Sequence, residues 1–144
     1  MRAQLAGQLR PQRGGARLLA ERSAAEVAWE DWVTREDCLA VVGTLDGHVV
    51  GYGLARWRDV GGERLGAIDE VWVDPAGRGV GVGEAVMSAI VAWCQDAGCR
   101  GIDGSALPGD RMMKGFFETH GMTARLLVMH RPLSERVPPP EGAG

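Results

Sequence analysis

Cysteine is scarce in this chain: Cys38, Cys94 and Cys99 are the only three, and no C-x-x-C pair occurs among them. An odd, scattered set argues against a disulfide framework and against a cysteine-based zinc site, and it points to a reduced, cytoplasmic compartment. The three histidines, His48, His120 and His130, show no metal-ligand spacing, so no metal is expected. No apolar run approaches membrane-spanning length, and no charged-then-apolar leader precedes a cleavage site. There is no excess of basic residues either. The formal net charge is −3, which argues against a general nucleic-acid binder. No internal repeat is present. A chain of 144 residues that is 45% hydrophobic and 24% charged is long enough to bury one core without staples. We expect one domain over residues 1–133 and a disordered Pro/Gly tail over 134–144, which lacks any core pattern.

Glycine, by contrast, is abundant, and its densest use carries the chemistry. Ile68 to Val73 reads as a strand, Pro75 opens a turn, and Arg78-Gly79-Val80-Gly81-Val82-Gly83 runs straight into an amphipathic helix. Alternating glycines let a ligand approach peptide N–H groups without a Cβ in the way. The first turn of the helix adds unpaired donors and the positive end of its dipole. Such a junction suits a phosphate or pyrophosphate. It is not a Walker A loop, because Gly83 is followed by Glu84 and Ala85. The G-x-G-x-x-G fingerprint fails as well, since its sixth position is Glu84 or Val86.

Along the chain, residues 1–14 hold an expected short strand around Gln4–Leu9. Ala16 to Val33 reads as helical, with Ser23-x-x-Glu26 as a capping box and Trp29 and Trp32 as core anchors. Cys38 to Arg58 is a hairpin turning at Asp46-Gly47, and Asp59-Val60-Gly61-Gly62 returns the chain into Leu65–Val73, completing an antiparallel meander. Gly51 and Gly53 predict a bulge or a close backbone approach. After the loop, Val82, Val86, Ile90, Trp93 and Cys94 share one helical face that ends at Gly98. Gly101–Ala106 is a strand parallel to the one before it. Arg111–His120 is a helix, and Met122–His130 is a final strand.

This order, with R-x-x-G-x-G after the strand, resembles the GNAT superfamily of N-acetyltransferases over roughly Cys38 to Leu133. The resemblance implies an α/β (α+β) fold whose mixed, mostly antiparallel sheet has a splayed central strand pair and flanking helices. It also implies acetyl-CoA as co-substrate. Val71, Trp72 and Val73 would offer backbone to the pantetheine arm. Arg78 and the amides of Gly79, Val80, Gly81, Val82 and Gly83 would hold the pyrophosphate, with Glu84 at the helix start. A second block of the family, N-x-x-A-x-x-F-Y-E-x-x-G-F, is similar to Asp110-x-x-Met113-x-x-Phe116-Phe117-Glu118-x-x-Gly121-Met122. Asp110 and Phe117 would then also border the cofactor. Phe117 stands where many members carry the Tyr that protonates the leaving thiolate.

Acetyl transfer to an amine requires a base for the amine and a donor to the carbonyl oxygen. Asp69 and Glu70 are the candidate catalytic residues, lying on the strand that feeds the loop. Neighbours on a regular strand point to opposite faces, so one at most is expected in the cleft. The run Ile68 to Val73 resembles that of the spermidine/spermine acetyltransferases, which implies a small cationic amine as acceptor. An acyl-CoA-binding regulatory module without turnover is the other expectation, favoured by Phe117. The acid is not evident: Tyr52, the sole tyrosine, lies in the preceding strand, and Ser105 and His120 are the remaining candidates. No nucleic-acid or membrane partner is expected. A homodimer is expected only if the first strand is missing and its sheet edge is left exposed.

Overall fold

The structure is a computed structural model, described over residues 1–133. The expected tail 134–144 lies outside the described residues. Three N-terminal helices, α1 (Arg2–Leu9), α2 (Gly15–Ala24) and α3 (Trp29–Thr34), precede the strands β1 (Cys38–Leu45), β2 (His48–Val60) and β3 (Glu63–Val73). A 3₁₀ turn at Pro75–Gly77 leads to α4 (Val82–Asp96), then β4 (Cys99–Gly104) and α5 (Arg111–Thr119). The sheet order is β1-β2-β3-β4, antiparallel except for the parallel β3–β4 pair that α4 bridges. A helix crossover is what a parallel pair requires.

Each face of the sheet buries its own cluster. On one face, Val86, Met87, Ile90 and Cys94 of α4 and Phe117 of α5 pack on Ala55, Ile68 and Val71. Glycine lets α4 lie this close: a Cβ on Gly53 would stand 2.7 Å from Val86 Cγ1 and 3.0 Å from Ile90 Cδ1. Gly53 is therefore the close approach that the sequence predicts. Burial pushes the Cys94 thiol up to about 12, as suits a core residue rather than a nucleophile. On the other face, Leu5, Leu9 and Trp32 from the N-terminal helices cover Tyr52, Leu54 and Trp72.

Several expected elements differ. Gln4–Leu9 is helical rather than a strand, because Leu5 and Leu9, four apart, bury on one helical face against the sheet. The helix expected over Ala16–Val33 is broken in two. Ser23 lies in the last turn of α2, where its carbonyl accepts from the Glu26 N–H, so Ser23 and Glu26 form no N-terminal capping box. Trp32 is a core anchor, but Trp29, the first residue of α3, is 59% exposed. Met122–His130 joins no sheet, and Leu126, Leu127, Val128 and Met129 stand exposed.

Candidate active site

β4 pairs with β3 only from Arg64 opposite Cys99 to Ile68 opposite Gly104, and the chain then leaves through Ser105–Leu107. β3 runs on to Val73, paired only with β2. The two strands thus part at Asp69, and among the described residues the rest of β3 has one open edge. The Asp74 N–H donates to Val50 O across β2 (2.7 Å). Strand alternation then turns the peptide groups of Trp72 toward β2 and those of Val71 and Val73 toward the open edge. Arg78 Nε donates to Val73 O at 2.9 Å, and the guanidinium carbon lies 4.9 Å from the Trp72 ring centroid. The Trp72 side chain itself is buried in the N-terminal cluster.

Asp69 and Glu70 both line the cleft at this parting. A bulge is responsible: Glu70 stands opposite Leu54 and Ile68 opposite Ala55, which leaves Asp69 with no partner on β2. The extra residue breaks the two-residue alternation. Ile68 and Val71 face α4, while Asp69 and Glu70 between them both face the N-terminal helices. The expectation of one carboxylate at most is corrected by that single inserted residue. Each carboxylate is ion-paired. Arg56 Nη2 lies 2.6 Å from Asp69 Oδ2, and Arg2 Nε lies 2.9 Å from Glu70 Oε2. Arg2 comes from the first turn of α1, 68 residues away in sequence, so no local pattern could have announced it.

At the loop, Gly79 (φ 78°) and Gly81 (φ 88°) adopt the left-handed backbone that glycine permits. Gly81 begins α4 with no side-chain cap, so the first-turn amides of Val82, Gly83 and Glu84 have no side-chain acceptor there. Val80 is exposed at the tip. Gly83 has ordinary helical backbone and another duty, because a Cβ there would stand 3.2 Å from the Phe116 ring. These residues fit a pyrophosphate: uncovered donors converge at a helix N-terminus, Arg78 is beside them, and no Cβ stands at either left-handed glycine. The open edge of β3 fits an extended arm that pairs as a strand would.

The Asp110 carboxylate caps α5 by accepting from the Met113 N–H at 3.0 Å, while Asp110 also lines the cleft. Phe117 is buried and forms part of the cleft wall. A Cβ on Gly104 would lie 2.6 Å from Phe117 Cζ, so the ring fills the space where β4 departs. Ser105 lines the same cleft. His120 instead closes the end of α5, its Nδ1 2.8 Å from Phe116 O. Among the described residues no cluster of three or more His, Cys, Asp or Glu is arranged to hold a metal ion, and no helix is long and apolar enough to cross a membrane.

A mixed sheet parting beside a glycine-rich helix N-terminus, with carboxylates at the parting, defines an acyl-CoA-type transferase fold. The sequence profile of the acetyltransferase (GNAT) family matches residues 9–122, and the chain belongs to that family. Among curated proteins, an aminoglycoside N(6')-acetyltransferase type 1 of Stenotrophomonas maltophilia is 40% identical over 60 residues, spanning 38% of this chain and 39% of the relative's own length. Among solved structures, AAC(6')-Iy in complex with the bisubstrate analogue CoA-S-monomethyl-acetylneamine superposes with a TM-score of 0.65 at 18% identity, covering 73% of this chain and 75% of that one. A transcriptional regulator from Bacillus halodurans superposes with a TM-score of 0.66 at 17% identity, covering 74% and 73%. At such identities the likeness carries the fold alone.

Proposed function

We propose that this chain transfers an acetyl group from acetyl-CoA to a primary amine of a small molecule, by direct attack in a ternary complex. One observation carries the reading: the bulge at Asp69 turns two carboxylates into the cleft where β3 presents an open edge beside the glycine loop. Gly79 to Gly83 and Arg78 would hold the pyrophosphate, with Glu84 at the helix start. Of the strand, Val71 and Val73 would pair with the arm by their peptide groups, and Trp72 would support them from beneath. The amine nitrogen attacks the thioester carbonyl carbon. The C–N bond forms, the C–S bond breaks, and the departing amine proton passes to Asp69 or Glu70. A peptide N–H on the open edge polarises the carbonyl oxygen. The thiolate leaves unassisted and takes its proton from water, since Phe117 has none to give and a thiol of pKa about 8.5 is a fair leaving group. Asp110, already engaged as a cap, shapes the cleft floor with Phe117.

The test is a melting titration with acetyl-CoA and CoA, with NADPH as control, followed by thiol release over a panel of amines. A ligand at a hundred times its dissociation constant adds about 2.7 kcal/mol. A shift with the CoA species and thiol release with an amine are expected. Absence of any shift in folded protein would sink the reading. The second reading, an acyl-CoA-binding module without turnover, rests on Phe117. It gains if CoA binds and no amine releases thiol.

We also propose that two copies associate. Among the described residues β1 and β4 each have one unpaired edge, since the N-terminus is helical and Met122–His130 joins no sheet. Exposed Leu126–Met129 supplies apolar surface that a second copy would cover. Sedimentation should give twice the chain mass, and Leu127→Asp should reduce it to one. A monomeric wild type would overturn this. Residence in the cytoplasm is supported by three cysteines that remain free thiols.

A further inference from the structure

Asp69 and Glu70 at the parting are each ion-paired, while one guanidinium in the same walls, that of Arg22, pairs with no described residue. Two adjoining clefts share three charged residues in their walls: Arg22, Asp69 and Glu70. Asp69 is held by Arg56, whose guanidinium is fixed over the Trp32 ring at 5.4 Å from its centroid. Glu70 is held by Arg2, which also reaches Glu26 at the rim (3.6 Å). Arg22, from the last turn of α2, has no hydrogen bond or ion pair to any described residue, although it is only partly exposed. Burial pulls its pKa below the usual arginine range, against the opposing pull of Glu70 and Asp69. A half-desolvated guanidinium with no partner is a costly arrangement unless something else pairs with it. The buried Tyr52 hydroxyl, with Arg2, Arg22 and Glu70 as its charged neighbours, makes no well-formed hydrogen bond to any described residue. Burial raises the phenol pKa, so the group keeps its proton and can only donate or accept a hydrogen bond.

A polycationic acceptor suits this wall poorly. It would have to displace Arg2 or Arg56 from its carboxylate, and it would meet Arg22 with like charge at the point where the two clefts join, with Asp110 and Glu26 left as the further acids of the walls. An amine that also carries an anion fits both needs at once. Its nitrogen sits by Asp69 and Glu70, while its carboxylate or phosphate takes the fork of Arg22 in a bidentate pair. We propose that the acceptor is such an amine, bearing an anionic group recognised by Arg22. This rests on the acetyltransferase reading and narrows its acceptor away from the polyamine class and from the aminoglycosides of the relatives.

The experiment compares acceptors matched in their amine, using the full chain and acetyl-CoA: lysine against cadaverine, phosphoethanolamine against ethanolamine, with neamine as the polycation. Expected is a kcat/KM ratio of about tenfold or more in favour of each anionic member. In Arg22→Gln that ratio should fall toward one, chiefly through KM, with Arg22→Lys intermediate. A retained CoA-induced melting shift shows that each variant folds and loads. Direct titration of the anionic amines into the CoA-bound protein gives a readout that needs no turnover: saturation in the wild type and at least tenfold weaker binding in Arg22→Gln are expected. A preference for cadaverine or neamine, an unchanged ratio in Arg22→Gln, or no binding of either anionic amine would overturn the proposal. Failure of the acetyltransferase reading has a different signature, namely no melting shift with CoA.

Discussion

Asp69 and Glu70 are adjacent in sequence, yet both carboxylates turn to the same side of β3, each into a guanidinium at under 3 Å. Regular alternation would have sent one of them into the α4 core. The bulge at Asp69 prevents this, and it falls where β4 leaves β3. One inserted residue thus gathers the acids and coincides with the opening of the cleft.

If one of these carboxylates removes the amine proton, its loss should cost about 10²–10⁴ in kcat. Asp69→Asn and Glu70→Gln should be compared by thiol release, with the CoA melting shift showing that each still binds co-substrate. At least one should show the drop. Equal activity in both would exclude a carboxylate base.

Backbone strain in the loop can be separated from packing. A Cβ on Gly81 meets no atom within 4 Å, so Gly81→Ala pays only for left-handed backbone, about 1–2 kcal/mol. Weaker CoA binding should accompany the lower melting temperature. Gly7, inside α1 with equally open space and no such φ, gives the opposite expectation. Gly7→Ala should stabilise by about 0.5–1 kcal/mol. Equal effects from the two substitutions would remove the strain argument.

Phe117 and Gly104 should behave as one unit. Phe117→Ala empties a buried site and should cost about 3–5 kcal/mol in denaturant unfolding. Gly104→Ala drives a methyl against the ring and should also destabilise, but much less once the ring is gone. Additive losses in the double variant would show that the two do not share that space.

Acid should release the anchor of the C-terminal segment. Arg125 donates to Asp103 through Nε (2.7 Å) and Nη2, and this hydrogen bonding holds the Asp103 carboxyl below its usual range. A depressed carboxylate pKa gives stability that is present above the unfolded value of 3.8 and lost as pH falls through the lower folded value. Melting of Asp103→Asn should therefore lie below wild type at pH 7 and converge with it as pH falls through the lowered folded value. A gap that persists in acid would point to packing instead.

Much of this was legible in local pattern. The meander was announced by Asp46-Gly47 and Gly61-Gly62, whose turns need backbone that few other residues adopt. The 3.6-residue period of Val82, Val86, Ile90 and Cys94 gave α4, and the glycine loop ahead of it gave the family. The N-terminal segment misled because Leu5 and Leu9 allow two readings, and only the apolar sheet face beneath them decides for the helix. Met122–His130 misled in the reverse sense. Its residues favour a strand, yet a strand forms only where a neighbouring edge accepts its hydrogen bonds.

The sequence by itself determined the central meander, the glycine-rich loop running into α4 and the presence of two acids ahead of it, because turns, periods and glycine placement are short-range properties of the chain. Only the tertiary structure decided where those acids point and what meets them. A bulge is defined by the partner strand, and Arg2 and Arg22 reach one cleft from separate helices through packing of the N-terminal helices on the sheet, while Arg56 of β2 pairs with Asp69.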